Sequence, residues 1–378
     1  MDPDGHAGDD AAAALLAHAG RLTGWTLTAP EALGGSGRSL VLRCRTGTTG
    51  APGMTGAPGA PGPATVVVKR FGDAFAAEYA RERTGLRTLG GTPELLASDD
   101  PTLTLVMSDL GEHPTLADLL LGSARAEAWA GAVGWAEALG DLLGAGHAAA
   151  PGLAGELRPD RDELTSVLRR GLDRLVEVGA DEDGAREERR RPAAAETQDL
   201  LAWLTAPVPR RAVVSPGDTC PDNALLTPHG WRFLDLEGTC VQDAAVDAAY
   251  AVLPFATCWC VYDPPTDLTT QMLDALSGAL GRHVDLGPDW QHDVLRACAA
   301  FVLASSGWMW PGALEDRQVG GTEVRSPRHR ELLTARWRWG AAHLATVTPA
   351  IAGLCADADA WAVQAWGGRT PGPYPVFG

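Results

Sequence analysis

The sequence predicts an α+β fold of two lobes, in which a small antiparallel β lobe precedes a larger and mostly helical lobe. Over the first hundred or so residues, short β-branched runs alternate with turn residues, which is typical of strands joined by hairpins. From Thr115 onward the apolar residues recur at helical spacing, and the Ala-rich stretch 126–147 predicts one long helix. We therefore predict an N-lobe at residues 21–110 and a C-lobe at 111–378, with 1–20 as a frayed helix or disordered tail.

The composition limits the classes of partner. The chain has 378 residues and a formal net charge of −17, whereas nucleic acids and anionic membranes require basic surfaces. No apolar run approaches the roughly 18 residues of a membrane helix, and the acidic start at Met1 to Asp4 is unlike a secretory signal. Seven cysteines in a chain without an export signal indicate reduced thiols and a cytoplasmic location. Nothing in the sequence predicts the oligomeric state.

Five strands and one helix are predicted in the N-lobe. The strands cover residues 25–28, 39–45, 64–71, 93–97 and 103–107, and the helix covers residues 74–89. The turn between the first two strands contains Gly35, Ser36 and Gly37. Glycine lets backbone amides approach a phosphate closely. Glycine-rich hairpins without a ligand are commoner, however, so this turn alone is weak evidence for a nucleotide site.

Lys69 lies near the end of the third predicted strand, and the helix that follows carries Glu78 and Glu82 one turn apart. A lysine at a strand end is most often a solvated edge charge. Here it comes after a glycine-rich hairpin and before an aspartate-containing turn at Asp218. The better interpretation is that Lys69 binds nucleotide phosphates and that a glutamate of the helix orients it.

Three oxygen-bearing side chains follow two short β segments in the second half of the chain. The run Val213–Ser215 leads into a turn with Asp218, and Asn223 follows five residues later. A second segment then ends at Asp235. One carboxylate can receive a hydroxyl proton, while the amide oxygen and the other carboxylate can hold Mg²⁺ against phosphates. Taken singly, each aspartate could also be an ordinary turn residue.

The order of these motifs resembles the aminoglycoside phosphotransferase and choline kinase-like family, which has the protein-kinase-like fold. Each motif is individually weak, but the ordered set, over roughly residues 25 to 250, is specific. The matching segments are the glycine-rich hairpin, Val66-Val67-Val68-Lys69, Arg81-Glu82-x-x-x-Leu86-x-x-Leu89, Val106–Gly111, Gly217-Asp218-x-x-x-x-Asn223 and Leu234–Glu237.

This resemblance implies a role for each matching residue. Asp218 is the expected catalytic base, and Asn223 and Asp235 are the expected Mg²⁺ ligands. Lys69 is expected to contact the α- and β-phosphates of ATP, with Glu82 as its helix partner and Glu78, one turn earlier, as the alternative. The remaining nucleotide contacts are assigned to Gly35, Ser36 and Gly37 over the phosphates and to the backbone of a hinge-like segment that includes Met107 and Asp109.

The catalytic turn also departs from the family pattern. Pro216 stands where the family usually has a histidine before Gly-Asp. In the fold that histidine is mainly structural, so its replacement removes no catalytic atom but indicates a divergent subgroup. Asp243 and Asp247 correspond to acidic positions of the family, at least one of which supports the loop.

Two other interpretations were weighed. A zinc site built from Cys220, Cys240, Cys258 and Cys260 would need four converging ligands, and Cys-x-Cys is a poor spacing for one. Buried cysteines that pack as small apolar groups are the usual case. A catalytically inactive relative that binds nucleotide would be expected to have lost Lys69, Asp218 or Asp235, and all three are present.

The sequence therefore predicts an ATP-dependent phosphotransferase that uses Mg²⁺ and an alcohol group of a small molecule as acceptor. The alternative is an inactive nucleotide-binding regulatory protein of the same fold. The negative net charge is compatible with a cationic acceptor such as an aminocyclitol. Sugars, amino alcohols and nucleoside-type compounds are equally possible acceptors.

Overall fold

The structure is a computed structural model that describes residues 3–34, 37–48, 63–178, 183–207, 209–253, 255, 258–320 and 326–378. Its contacts divide the chain into two units. The first unit comprises Met1–His113 and the later segment Arg232–Thr239, and the second comprises Pro114–Trp231 and Cys240–Gly378.

The first unit contains an antiparallel sheet of five strands, as the sequence predicts. In chain order its helices and strands are α1 (Pro3–Thr23), β1 (Trp25–Ala32), β2 (Ser39–Thr48), β3 (Thr65–Phe71), α2 (Ala76–Thr88), β4 (Leu95–Asp99) and β5 (Thr104–Ser108). The strands are arranged in the order β1-β2-β3-β5-β4, so β3 is central. The low-complexity stretch between β2 and β3 falls on residues 49–62, outside the described residues.

Apolar residues cover both faces of this sheet. On one face Val66 and Val68 pack with Leu15, Leu16 and Ala19 of α1. Residues 1–20, for which we expected a frayed helix or a disordered tail, thus include part of α1 that contributes buried side chains to a core. A second cluster of buried residues contains Phe71, Tyr79, Leu86, Leu105, Met107 and Leu236.

Alternation along β3 explains the direction of Lys69. Successive side chains of a strand point to opposite faces, so residues two apart share a face. Val66 and Val68 lie in the α1 cluster, and Phe71 lies in the other one, with Tyr79 and Leu86 of α2. Lys69 therefore extends from the same face as Phe71, and it is only 5 % exposed.

The second unit is mostly helical. In chain order its elements are α3 (Leu116–Leu121), α4 (Arg125–His147), α5 (Ala150–Leu153), α6 (Arg161–Val178), α7 (Asp183–Leu204), β6 (Ala212–Ser215), β7 (Ala224–Thr227), β8 (Gly230–Phe233, whose last two residues belong to the first unit), β9 (Cys240–Asp243), α8 (Ala244–Val252), α9 (Thr266–Leu280), α10 (Trp290–Trp308), α11 (Trp310–Leu314), α12 (His329–His343) and α13 (Pro349–Trp366).

Two features of this unit are a short pair of strands that leads to Asp218 and a cluster of aromatic rings. Strand β6 pairs antiparallel with β9, with Ser215 opposite Cys240 and Ala212 opposite Asp243, and the turn with Asp218 follows β6 directly. Further along the chain, rings of α11, α12 and α13 form an aromatic cluster, in which Trp337 stacks on Trp366 with centroids 5.8 Å apart. Of the helices in the described ranges, none has the length and apolar character needed to cross a membrane.

Candidate active site

Lys69 forms the centre of a charged cluster in the first unit. Its Nζ lies 2.7 Å from Oε2 of Glu82 and 2.7 Å from Oδ1 of Asp235. Glu237 is a more distant neighbour, with Oε2 at 3.8 Å, and its other oxygen lies 2.7 Å from Nη2 of Arg38. The ion pair on α2 is thus made by Glu82, and Lys69 makes none with Glu78 in the part of the chain that the structure describes.

The backbone brings the Asp235 segment close to α2. Asp235 adopts left-handed angles, with φ +54°, at the start of a short 3-10 helix, Leu236–Gly238. Aspartate is among the residues that tolerate this region. Opposite, Gly85 of α2 has no room for a side chain, since a Cβ there would clash with Oγ1 of Thr239 and lie 3.2 Å from Cβ of Leu236. Glycine at this position permits the close approach.

Burial and ion pairing act in opposite directions on the charges of this cluster. Burial disfavours the charged forms of both partners, and it raises the pKa of Glu82 to about 7 despite the neighbouring Lys69. Burial also opposes the charge of Lys69, but Glu82 and Asp235 outweigh it, so the pKa of Lys69 is raised. The side chain of Asp235 is 42 % exposed, against 7 % for Lys69, so Asp235 is the member that a ligand can reach.

The other predicted nucleotide-binding residues lie on β5 and the glycine-rich turn. Met107 is buried on β5, and Asp109 follows the end of that strand. The Asp109 carboxylate lies 2.9 Å from Nε of Arg43 and accepts a hydrogen bond from the Gly111 amide at 2.9 Å. Its side chain therefore fixes the segment after β5. Gly37 lies in the turn before β2, whereas Gly35 and Ser36 lie outside the described residues.

In the second unit the structure brings Asp218 and Asn223 together. Nδ2 of Asn223 donates to Oδ2 of Asp218 at 3.3 Å, and the Cys220 amide donates to Oδ1 at 3.3 Å. The turn between them closes with a short 3-10 helix, Pro221–Asn223. The amide nitrogen of Asn223 thus faces the carboxylate, which leaves its oxygen as the atom able to bind a cation.

A buried polar network supports the turn before Asp218. The Gly217 amide, at φ +83°, donates to Oγ of Ser215 at 2.9 Å, and that hydroxyl donates to Oδ1 of Asp247 at 2.6 Å. Nε2 of Gln242 donates to Oδ2 of Asp247 at 2.9 Å. Pro216 has no amide hydrogen to donate, and Ser215 provides the side-chain bond to this turn. Burial raises the pKa of Asp247 to about 6, although Ser215 and Gln242 act to lower it.

A second network, which sequence reasoning missed, contains Arg211. This guanidinium is fully buried and lies 3.1 Å from Oδ1 of Asp243, and it also pairs with Asp293. Asp243 in addition caps the N-terminus of α8 by accepting from the Ala245 amide. The two acidic positions after the Asp218 turn, Asp243 and Asp247, therefore both have structural partners. Asp293 is 82 residues from Arg211 in the chain, and no local pattern indicates such a pair.

The cysteines depart from the sequence-based expectation of reduced thiols. Cys220 and Cys258 form a disulfide across a sequence separation of 38 residues, with their Cα atoms 5.5 Å apart. That Cα spacing is ordinary for a disulfide, and the pairing could not be read from the sequence because it depends on tertiary contact. Of the four cysteines weighed as a zinc site, Cys260 joins this pair, with its Sγ 3.2 Å from that of Cys258.

Asp222 connects the turn that contains Asp218 to the segment that follows α8. Its Oδ2 accepts a hydrogen bond of 2.8 Å from Nε1 of Trp259, and its Oδ1 lies 3.7 Å from Sγ of Cys258. No role was assigned to Asp222 from the sequence. The disulfide and the Trp259 bond together tie the residues between Asp218 and Asn223 to Cys258 and Trp259.

The donor atoms of the first cluster fit a hard divalent cation. Glu82, Asp235 and Glu237 offer carboxylate oxygens that all lie within 4.8 Å of one another. Mg²⁺ prefers oxygen ligands and is usually held by one or two carboxylates together with substrate phosphates. Since Lys69 neutralises Glu82, the exposed Asp235 is the carboxylate with the chemistry and access that such an ion requires.

Comparison with known proteins adds to this geometry. Residues 58–286, more than half of the chain, match the sequence model of a family described as the phosphotransferase enzyme family. No curated protein matches the chain. Among solved structures, it is similar to a choline/ethanolamine kinase family protein from Mesorhizobium loti, with 18% identity, coverage of 93% of this chain and 99% of that chain, and a TM-score of 0.51.

Two further solved structures have lower TM-scores. Choline kinase LicA from Streptococcus pneumoniae is 14% identical, with coverage of 87% of this chain and 94% of that chain and a TM-score of 0.45. The aminoglycoside phosphotransferase APH(3'')-Id from Streptomyces rimosus is 18% identical, with coverage of 76% and 96% and a TM-score of 0.38. The predicted α+β, protein-kinase-like fold is confirmed by the antiparallel sheet, the helical second unit and the Mesorhizobium structure.

Proposed function

Because the chain belongs to the phosphotransferase enzyme family, we propose that it is a small-molecule kinase that transfers the γ-phosphoryl group of ATP to a substrate hydroxyl. The observation that carries the proposal is the Lys69 cluster. A buried ammonium lies between a buried glutamate and an exposed aspartate, at 2.7 Å from each. A lysine and acid pair of this kind, with a second acid for the metal, is what phosphoryl transfer requires of the nucleotide side.

In this proposal Lys69 binds the α- and β-phosphates, and Glu82 keeps its ammonium in place. Asp235 and Asn223 are the proposed ligands of Mg²⁺, which supplies charge neutralisation of the phosphates when bound. The left-handed backbone at Asp235 fits such a role, since strained residues cluster at ligand sites. The backbone of Met107 and Asp109 is proposed to contact the adenine, and Gly35, Ser36 and Gly37 to cover the phosphates.

Asp218 is the proposed catalytic base. It receives the proton of the acceptor hydroxyl as the oxygen attacks the γ-phosphorus, and the leaving group is ADP. Its hydrogen bonds from Asn223 and the Cys220 amide hold the carboxylate in one orientation. Because a phosphoryl-transfer enzyme contributes mostly positioning and charge stabilisation, a fixed carboxylate is the main requirement.

The acceptor is proposed to be a small molecule with an alcohol group. The similar structure from Mesorhizobium loti is described as a choline/ethanolamine kinase family protein, and the net charge of −17 suits a cationic acceptor. No nucleic acid or membrane partner is proposed. The cytoplasmic location predicted from the sequence stays a prediction, and the Cys220–Cys258 disulfide is the observation that opposes it.

The proposal is tested with Mg-ATP and with the variant Asp218→Asn. Wild-type protein should be stabilised against heat by Mg-ATP and should consume ATP in the presence of at least one compound from a panel of aminocyclitols, sugars and amino alcohols. The variant should keep the stabilisation, because asparagine retains an oxygen that accepts from Asn223. Its turnover should fall by about 10²- to 10⁴-fold, the usual contribution of a general base.

The outcomes distinguish the two hypotheses of the sequence. Stabilisation by nucleotide without turnover on any compound would favour the inactive nucleotide-binding protein. The absence of a thermal shift with both ATP and GTP would refute nucleotide binding itself. Turnover by Asp218→Asn equal to that of the wild type would remove Asp218 from the role of base.

A further inference from the structure

A set of side chains of metal-ligating types lies entirely within the second unit. One carboxylate oxygen of Asp222 and the Sγ atoms of Cys220 and Cys258 all lie within 4.8 Å of one another. Cys260 lies next to this group, with its Sγ 3.2 Å from that of Cys258. Two of the four side chains thus belong to the short 3-10 helix after Asp218 and its N-cap, and the other two belong to the segment after α8.

The donor atoms of this set match zinc better than magnesium. Mg²⁺ takes hard oxygen ligands, whereas thiolate sulfur is a soft donor that favours ions such as Zn²⁺. Structural zinc sites have four ligands in a tetrahedron, drawn from cysteine, histidine and acidic side chains. Three sulfurs and one carboxylate make up that number. Cys240, which the sequence offered as a fourth ligand, is not in the group, and Asp222 takes its place.

The distances are close to those of a tetrahedral site. With Zn–S bonds of ~2.3 Å and a Zn–O bond of ~2.0 Å, neighbouring ligand atoms lie roughly 3.5–3.8 Å apart. The Sγ of Cys258 lies 3.2 Å from that of Cys260 and 3.7 Å from Oδ1 of Asp222. Cys220 is bonded to Cys258, and their Cα atoms, 5.5 Å apart, are close enough for both side chains to bind one ion once that bond opens. Rotation of the cysteine side chains is then the change that the site requires.

Burial of the three sulfurs is typical of a closed structural site. Cys220, Cys258 and Cys260 are 6 %, 1 % and 0 % exposed, and Asp222 is half-buried. Structural zinc has no open coordination position. Its binding is coupled to folding, so the ion enters as the two segments come together and needs no pocket that leads to it.

Asp222 is already oriented as a ligand. Its Oδ2 accepts a hydrogen bond from Nε1 of Trp259 at 2.8 Å, which leaves Oδ1 facing Cys258. Carboxylates that bind a metal are commonly held by such a second hydrogen bond. A disulfide requires two sulfurs and neither a third sulfur nor a carboxylate, so the whole arrangement favours a metal site over a cross-link alone.

We propose that Cys220, Asp222, Cys258 and Cys260 bind one Zn²⁺ when the Cys220–Cys258 disulfide is reduced. A dithiol breaks the S–S bond by supplying two electrons and two protons, and it becomes a disulfide itself. Zn²⁺ then forms three bonds to sulfur and one to oxygen, the three thiol protons pass to solvent, and no oxidation state changes. The two segments are thereby tied together in both redox states, by a covalent bond or by the metal. None of these side chains is assigned to phosphoryl transfer, so the site goes beyond the proposed kinase activity.

The test compares the metal content of the full-length chain in its two redox states. One sample is reduced with excess tris(2-carboxyethyl)phosphine, which becomes the phosphine oxide as water supplies the oxygen and the two thiol protons. The other sample is kept oxidised. Both are exposed to Zn²⁺ with excess Mg²⁺ to saturate oxygen-only sites, and bound zinc is measured by elemental mass spectrometry after gel filtration. We expect about one Zn²⁺ per reduced chain and at least about tenfold less in the oxidised chain.

Stability provides a second readout on the same samples. The unfolding midpoint of the reduced protein should rise with Zn²⁺ and fall with a chelator, whereas that of the oxidised protein should respond to neither. Equal zinc content in the two states, or no bound zinc in the reduced protein, would overturn the proposal. A disulfide that persists in the folded protein under excess reductant would overturn it too, because the site requires separate sulfurs.

Cobalt substitution identifies the sulfur ligands. Co²⁺ bound to thiolates has a charge-transfer absorption that grows with the number of sulfur ligands. Reduced Cys260→Ser should lose about a third of this absorption and bind Zn²⁺ at least about tenfold more weakly, while its oxidised form keeps the disulfide. Cys355→Ser removes another buried free cysteine and should match the wild type. Equal cobalt spectra of Cys260→Ser and the wild type would contradict the four-ligand site.

Asp222→Asn tests the carboxylate ligand. Asparagine keeps an oxygen that can accept from Trp259 but removes the charge, so the affinity for Zn²⁺ should fall at least about tenfold while the cobalt–sulfur absorption remains. Asp274→Asn removes an exposed carboxylate of α9 and should leave the affinity unchanged. Equal losses in the two variants would contradict the role of Asp222. Should a ligand variant fail to fold, the comparison of reduced and oxidised wild type still decides the question.

Discussion

Lys69, Arg211 and Arg336 are three buried cations that differ in the counter-ions around them. Lys69 has two carboxylates at 2.7 Å, one of which is exposed enough to be shared with a ligand. Arg211 pairs with the buried Asp243 and with the partly buried Asp293, as a structural ion pair requires. Arg336 has no hydrogen-bond acceptor at Nε and Nη2 among the residues that the structure describes. At the scale of single residues, the number and exposure of counter-ions therefore separate Lys69, for which we propose phosphate binding, from Arg211, whose ion pairs are structural.

Replacement of Glu82 by glutamine tests the buried ion pair. Glu82→Gln leaves Lys69 with Asp235 and the more distant Glu237, so the ammonium is expected to shift away from α2. Breaking a buried ion pair is strongly unfavourable, and we expect the Kd for Mg-ATP, measured by calorimetry, to rise by at least about tenfold. Glu78→Gln, one turn earlier on α2, is the control and should stay within about twofold. Equal effects of the two variants would mean that the pair with Glu82 does not position Lys69.

The buried carboxyl group of Asp247 should make the stability of the protein depend on pH. Its pKa is raised from 3.8 to about 6 by burial, so the folded state binds the proton more tightly than the unfolded state does. The stability contributed by this group is therefore present at low pH and is lost as the pH rises through about 6. Asp247→Asn cannot titrate. The free energy of unfolding of the wild type, relative to this variant, should fall by about 2–3 kcal/mol from pH 4 to pH 7.

The measurement is denaturant unfolding of both proteins at matched pH values. The difference between the two curves removes the contribution of all other titrating groups that the substitution leaves alone. Parallel curves for the wild type and the variant would show that Asp247 does not titrate in this range. A difference that grows with rising pH in favour of the wild type would reverse the assigned direction of the pKa shift.

At the scale of elements, the packing of α2 against the Asp235 segment depends on Gly85. A Cβ at this position would clash with Oγ1 of Thr239 and contact Cδ1 of Leu236 at 3.3 Å. Gly85→Ala should therefore lower the free energy of unfolding by about 1–3 kcal/mol, the usual cost of overpacking. Because the segment must shift, Mg-ATP affinity should fall as well.

Gly353→Ala provides the matched control for this substitution. Gly353 is also a helix-interior glycine, in α13, but a Cβ there meets nothing within 4 Å. Alanine at an exposed helical position should stabilise the protein by about 0.5–1 kcal/mol. Both free energies are obtained by denaturant unfolding. Opposite signs at the two glycines are expected, and stabilisation by Gly85→Ala would contradict the close packing described above.

The sequence predicts the elements well wherever a local pattern determines them. The β-branched run identifies β3, and the Ala-rich stretch identifies α4, because β-branched residues favour strands and alanine favours helices. The resemblance assigns Glu82 as the partner of Lys69, with Glu78 as the alternative, whereas the sequence pattern alone leaves both open because the choice depends on how α2 is rotated against β3. That rotation is set by packing of Tyr79 and Leu86, which a single sequence does not specify.

At the scale of the whole molecule, the two units are not two continuous halves of the chain. The segment Arg232–Thr239, which contains Asp235, belongs to the first unit although the residues on either side of it belong to the second. The predicted boundary near residue 110 could not include this return, because it depends on contacts between residues far apart in sequence. The Cys220–Cys258 and Arg211–Asp293 pairs escaped prediction for the same reason.

The disulfide makes a prediction for the stability of the molecule as a whole. A cross-link that closes a loop of 38 residues restricts the unfolded chain, and the chain-entropy relation gives about 4 kcal/mol for a loop of this length. Reductant should therefore lower the unfolding midpoint of the wild type. The variant Cys258→Ser cannot form the cross-link, so its midpoint should lie below that of the unreduced wild type whether or not reductant is present. Cys355→Ser removes a buried free thiol and should keep the response to reductant.

Thiol titration of the denatured protein tests the same cross-link independently of stability. Five free cysteines and one disulfide account for the seven cysteines of the chain, so five thiols should react before reduction and seven after it. If seven react without reductant, the thiols are reduced as the sequence alone suggested, and the midpoint should then be insensitive to reductant. If five react, the segment between Asp218 and Asn223 is covalently tied to Cys258, and the proposed kinase activity should fall on reduction because the turn that contains Asp218 loses that restraint.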